Sequence, residues 1–219
     1  MSISSRSGRL NPRIRQSAQK GVLTTVLRIL HLAWPETAAD SRITSDCDED
    51  SITDILRWKM ADAKNRLDPV PQMKFLREPQ SDRAELDTPT GYIDIMVSYS
   101  WDESTYLTME CKRVKSTENS LALRYVRNGV NRFASGKYSP GHAYGVMLGY
   151  VICGNRNGCI DRVRTTLSQE PESETGFDSE FGWQSDLQLV NGIEHFKTRH
   201  HQQSHDNMIE IIHAFVVVN

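Results

Sequence analysis

The stretch GYIDIMVSYSWDESTYLTMECKRV, residues 91–114, decides how this chain is built. In its first half Tyr92, Asp94, Met96 and Ser98 fall on one face of an extended segment, and Ile93, Ile95, Val97 and Tyr99 on the other. In its second half Tyr106, Thr108, Glu110 and Lys112 oppose Leu107, Met109 and Cys111, a polar face against an apolar one. Two strands joined by a turn around Asp102 form a hairpin that sets Asp94 opposite Glu110, Met96 opposite Thr108 and Ser98 opposite Tyr106. Residues opposed in this way point to the same side of a sheet, with Cβ atoms about 4.5–5.5 Å apart. A slip of one residue would send the two acids to opposite faces, so the polar pattern selects the first register.

Working outward, the 219 residues carry ordinary apolar and charged fractions, enough for one domain with a substantial core, alone or with a small appendage. A formal net charge of −2 gives no global sign of nucleic-acid binding, so any such surface must be a local patch. Cys47, Cys111, Cys153 and Cys159 contain no CxxC pair and read as thiols of a reducing compartment. No cleavable leader and no membrane-length apolar run is evident, which sets the expectations of no membrane association and a cytoplasmic location.

Residues 1–44 read as a basic arm over the first 20 positions, then a helix with Val22, Val26, Ile29, Leu30 and Ala33 at helical spacing, stopping before Pro35. Residues 45–219 form the main domain. There SDCDEDSITDILRWKMADAKNRL (45–67) is capped at its start and periodic through Ile52, Ile55, Leu56 and Met60, a second helix. A Pro-containing connection over 68–90 leads into the hairpin, which is expected at the centre of the sheet. SLALRYVRNGVNRFASGKY (120–138) follows as a helix interrupted by Gly129. HAYGVMLGYVICG (142–154) is apolar on both parities, as for a strand covered on both faces. IDRVRTTLSQ (160–169) is a short helix, EPESETGFDSEFG (170–182) an acidic loop, and MIEIIHAFVVVN (208–219) a last strand. The order argues an α/β or α+β fold with a mixed sheet between helical layers.

Two opposed carboxylates repel unless a cation lies between them. Hard oxygen donors at this spacing suit Mg²⁺ or Mn²⁺, and Lys112, on the face of Glu110, could orient an attacking water or neutralise a transition-state phosphate. The bland alternative is a solvated surface pair of Glu110 with Lys112. RHHQQSHDNMIEIIH (199–213) places His201 and His205 four apart but lacks further zinc donors, and reads as a polar loop before the last strand. It contains His200 and His213 as well, and with Lys197 and Arg199 could border a nucleic-acid groove. No phosphate-binding glycine loop and no nucleophile elbow is present.

Asp94 followed by Glu110-Cys111-Lys112 resembles the D…(D/E)xK core of the PD-(D/E)xK, or restriction-endonuclease-like, nucleases. The resemblance covers residues 45 to 155, and Ile93 stands where that family often has proline. It implies a three-layer αβββαβ core with a mixed central sheet and, here, an N-terminal helical extension. It further implies a metal-dependent nuclease, endonuclease ahead of exonuclease and DNA ahead of RNA. Asp94, Glu110 and Lys112 would be catalytic, with Asp94 and Glu110 as metal ligands. Members often carry an acid on the preceding helix, for which Glu49 is the best match and Asp50 and Asp54 compete; there Glu49 would be a further catalytic acid and metal ligand, completing the acidic site or binding a second metal. Tyr125, Arg132, Lys137 and Tyr138, with Arg113, would lie along the nucleic acid, while Phe133 packs in the core. With no sequence-reading module in the chain, targeting would come from a protein partner or a homodimer, as in an effector of bacterial anti-phage defence. The alternative from another class is a non-catalytic subunit or nucleic-acid-binding adaptor that keeps the fold.

Overall fold

A computed structural model describes residues 12–77, 92–99 and 106–218. In chain order they form α1 (Pro12–Ala38), α2 (Glu49–Asn65), β1 (Lys74–Arg77), β2 (Ile95–Ser98) and β3 (Tyr106–Val114). There follow α3 (Asn119–Tyr125), a π turn (Val126–Val130), α4 (Asn131–Ala134), β4 (Tyr144–Val151), α5 (Arg156–Gln169) and α6 (Glu172–Thr175). Then come β5 (Gln184–Val190), β6 (Ile193–Gln202) and β7 (Asn207–Val217).

The strands make one seven-stranded mixed sheet in the order β1-β2-β3-β4-β7-β6-β5. The β3–β4 and β4–β7 pairs are parallel and the others antiparallel. Apolar side chains from the two faces of the sheet fill two cores. Leu23, Val26, Leu30, Leu56 and Met60 of α1 and α2 pack on Met109, Cys111, Val146 and Leu148. Val126, Val130, Phe133 and Val163, from the helical segments after β3 and β4, pack on Met147, Ile211 and Phe215. Helices thus cover both faces, and β4, buried at every residue, runs through the middle as its double-sided apolar pattern requires.

The hairpin register is the expected one: Met96 opposes Thr108 and Ser98 opposes Tyr106. Its turn lies outside the described residues, as does most of the connection after Arg77. The hairpin is not central. β4, buried at every residue, takes the middle with β7 beside it, and β2–β3 lies between β4 and the edge strand β1.

Several other readings are corrected. The helix does not stop before Pro35 but runs to Ala38, and it begins at Pro12, so positions 12–20 are helical rather than an arm. Proline forfeits one backbone bond to the preceding turn. Trp34 holds that turn, its indole N–H donating to Val217 O at 3.1 Å and its ring stacking on Tyr150. The connection over 68–90 contains β1, too short at four residues to show a period. The polar stretch RHHQ, 199–202, is the end of β6, and only the four-residue turn 203–206 separates it from β7.

That misread segment supplies a buried polar chain. Thr198, His200 and His213 are fully buried, as is Tyr125. A carbonyl can only accept, and the Thr175 carbonyl therefore fixes the direction of every bond. His200 Nδ1–H donates to Thr175 O (2.8 Å), and the Thr198 hydroxyl donates to His200 Nε2 (2.7 Å). His213 Nε2–H donates to Thr198 Oγ1 (2.8 Å), and the Tyr125 hydroxyl donates to His213 Nδ1 (3.0 Å). The chain requires both imidazoles neutral, and burial pushes them that way: His200 falls from 6.5 to about 4, and His213 is also lowered.

Below pH 6.5 the unfolded His200 imidazole takes up a proton that the folded one refuses until about pH 4, and the lowered His213 acts in the same direction. Stability therefore falls with falling pH across that window, by about 1.4 kcal/mol per pH unit for His200 alone. Nitrogen-15 spectra of the rings at neutral pH should show His200 as the Nδ1–H tautomer and His213 as the Nε2–H tautomer; the opposite pair would refute the chain.

Candidate active site

The site forms where β3 outruns β2. Their ladder ends at the pair Ile95–Met109, yet β3 continues to Val114. Beyond that point two backbone N–H groups of β3 lack a strand partner, and a carboxylate takes each. Asp94, in a bend just before β2, accepts the Cys111 N–H at 2.7 Å. Glu49, the first residue of α2, accepts the Arg113 N–H at 3.1 Å. The Asp48 side chain caps α2 by accepting the Ser51 N–H, and the Arg113 guanidinium donates to Cys47 O at 2.9 Å. Glu49 is thereby presented to β3 from a fixed helix end.

Lys112 lies between these acids. Its Nζ is 2.6 Å from Glu49 Oε1, 2.9 Å from Glu110 Oε1 and 3.7 Å from Asp94 Oδ2, and it donates to Cys111 O at 2.7 Å. Burial opposes its charge, but Glu110, Asp94 and Glu49 outweigh burial and hold its pKa above the ordinary lysine value. Four oxygens from three segments of chain therefore surround one cation.

Glu110 is fully buried and Lys112 only 9% exposed, which excludes the solvated surface pair. Glu110 reaches the helical layer where Gly129 leaves room: a Cβ there would stand 2.4 Å from Met147 Cε and 3.7 Å from Glu110 Cγ. Arg132 donates to Glu110 Oε1 at 2.8 Å and to the Tyr138 hydroxyl at 2.7 Å. The Tyr138 hydroxyl in turn donates to the carbonyl of Tyr92, two residues before Asp94. Oε1 of Glu110 thus meets two cations while Oε2, equally buried, has no hydrogen-bond partner. Burial, and then repulsion from Asp94, raise the carboxyl to about 8 against the pull of Lys112 and Arg132.

Of the residues singled out from sequence, Asp94, Glu110, Lys112, Glu49 and Arg132 converge. Asp50 does not; its carboxylate, with that of Asp54, binds Arg77. Arg77 also lies 3.8 Å from Asp94 Oδ1, tying α2 to the start of β2. Sequence reading missed it because its strand sat in an apparent connection. Tyr125 is a correction: it is fully buried and hydrogen-bonded to His213, so it presents nothing to a nucleic acid. Arg113 serves the loop before α2. Lys137 lines an open cleft of about 550 Å³ with Arg127, Asn128, Asn131 and Arg132, and burial and Arg132 lower its pKa. His201 and His205 hydrogen-bond to Asp206 and Ser204. No membrane-length apolar helix occurs among the described residues.

Among the described residues no three His, Cys, Asp or Glu side chains already form a metal-holding group. Asp94, Glu110 and Glu49 gather around the Lys112 ammonium instead. They nonetheless suit a hard divalent cation in donor type, and the unpartnered Glu110 Oε2 is a buried oxygen that such a cation would satisfy.

In metal-free protein, Glu110 keeps a proton between pH 4.5 and about 8 that the unfolded chain has released. The stability this contributes is complete below pH 4.5 and is lost as pH rises to 8, at up to about 1.4 kcal/mol per pH unit. Urea titrations in EDTA should show wild type losing stability relative to Glu110→Gln across that window; a flat or rising difference would mean the carboxyl is ionised in the fold. No family model matches the chain, and no curated protein or solved structure matches it either.

Proposed function

We propose that the chain is a metal-dependent phosphodiesterase acting on nucleic acid, with the restriction-endonuclease-like core formed by α2, β1–β3, the helix after β3, and β4. One observation carries the reading: carboxylates from α2, the approach to β2, and β3 converge on a lysine two residues from one of them, at a buried position with one carboxylate oxygen unpartnered. The element order α2-β1-β2-β3-α3/α4-β4 supports it as well, since it repeats the αβββαβ order of the nucleases that Asp94 with Glu110-Cys111-Lys112 resembles.

In this reading Asp94 and Glu110 hold Mg²⁺ or Mn²⁺, with Glu49 completing the acidic site. The ion, when bound, supplies an activated water and a counter-charge for the phosphoryl oxygens. Lys112, released from its carboxylates, orients that water or stabilises charge developing on the phosphate. Arg132 joins the cleft to Glu110 and grips a backbone phosphate with Lys137 beside it, since a guanidinium can bind phosphate bidentately. Tyr138 positions Arg132. The substrate is nucleic acid, DNA ahead of RNA.

A second reading has one observation in its favour. Lys112 and Arg132 already occupy Glu110 Oε1, as in a self-sufficient buried polar cluster of a non-catalytic nuclease-fold subunit.

Plasmid DNA, single-stranded DNA and RNA incubated with purified protein and Mg²⁺ or Mn²⁺ should be cleaved, EDTA should stop it, and Lys112→Ala should lose about 100-fold or more. Mn²⁺ at a hundred times Kd should stabilise wild type by about 2.7 kcal/mol and so raise its melting temperature, while leaving that of Asp94→Ala unchanged. Absence of both metal binding and cleavage would remove the metal site and favour the subunit reading; metal binding without cleavage would keep the site and point to a protein partner as activator.

A further inference from the structure

The turn from β4 into α5 brings two thiols together. Cys153 and Cys159 are free, and their sulfurs lie 3.5 Å apart. Cys153 is half-buried, whereas Cys159, in the first turn of α5, is 1% exposed. The pair is chemically unequal. Burial alone would raise the Cys153 pKa, but the Ser116 N–H (3.4 Å) and hydroxyl (3.5 Å), the Asn155 N–H and the Cys159 thiol bring it down to about 7. For Cys159, burial and its hydrogen bond to Cys153 raise it to about 12. The other two cysteines differ: Cys111 is fully buried, and the Cys47 thiol donates to Arg42 O at 2.8 Å.

We propose that Cys153 and Cys159 form a reversible redox pair, in which Cys153 reacts with hydroperoxides and Cys159 resolves the product into an intramolecular disulfide. The Cys153 thiolate attacks one peroxide oxygen, the O–O bond breaks, and the leaving alkoxide or hydroxide takes a proton from water. Cys153 is then a sulfenic acid and the peroxide has been reduced by two electrons. The Cys159 sulfur attacks the Cys153 sulfur, the S–O bond breaks, and the departing hydroxyl leaves as water with the Cys159 proton.

Bond formation needs the sulfurs to close from 3.5 Å to about 2.05 Å. Gly154, the residue after Cys153, has φ +70° and nothing within 4 Å of where a Cβ would stand, so the turn has space to move. Closure takes from Ser116, two residues past the end of β3, the sulfur its N–H and hydroxyl contact. The inference stands independently of the nuclease reading.

Reduced protein treated with hydrogen peroxide, alkylated and digested should yield a Cys153–Cys159 linked peptide, lost again on treatment with dithiothreitol. Before oxidation, Cys153 should alkylate about 10-fold faster than Cys47 near neutral pH. Cys159→Ser, checked by circular dichroism for its fold, should accumulate Cys153 sulfenic acid that dimedone traps. Cys153→Ser should leave Cys159 unoxidised. Absence of the linked peptide, or equal reactivity of Cys153 and Cys47 in folded wild type, would overturn the proposal.

Discussion

The arrangement depends on two backbone N–H groups. Where β2 leaves the ladder, the amides of Cys111 and Arg113 lose their strand partner, and an unpaired amide in this half-buried edge is costly. Asp94 and Glu49 satisfy them. Each carboxylate is thereby fixed to the strand that carries Glu110 and Lys112. The hydrogen bonds that close the sheet edge also assemble the acidic site.

Charge follows from that geometry. Three carboxylates placed so closely would repel, and Lys112 lies where it meets all three. Arg132 adds a second cation at Glu110, and Arg77 one beside Asp94. The cluster is nevertheless unevenly satisfied, because both cations on Glu110 share Oε1 and leave Oε2 bare. A buried network of this kind is sensitive to any cation that reaches it.

The opposite helical layer decides how Glu110 is held. Gly129 lets the helix approach β4 closely, and the π turn spanning Val126–Val130 contains it. Tyr125, at the end of α3, anchors the same helix to β7 through His213. Arg132, on α4, then meets Glu110, and Tyr138 ties Arg132 to the carbonyl of Tyr92. His200, read as part of a polar loop, thus joins His213 of the last strand in an internal support of the helix carrying Arg132.

Much of this was legible in the residues alone. Alternation over 92–99 and 106–112 carried the strands and their register, because a pleated strand repeats each face every second residue. The double-sided apolar run in β4 and the capped start of α2 were equally local signals. Asp94, Glu110 and Lys112 could be grouped because a hairpin register links distant positions by simple counting. The choice of Glu49 over Asp50 could not be read, since both occupy the first turn of α2 and only the path of β3 decides which one meets an unpaired amide. Nor could β1, Arg77 or the burial of His200 be read: four residues show no period, and polar side chains enter a core only when partners far along the chain satisfy them. The sequence by itself determined the hairpin, its register and the triad upon it, since those follow from local periodicity. The tertiary structure alone decided which strand is central, which acid joins the triad and which polar residues are buried, since these depend on hydrogen-bond partners that packing brings together from remote parts of the chain.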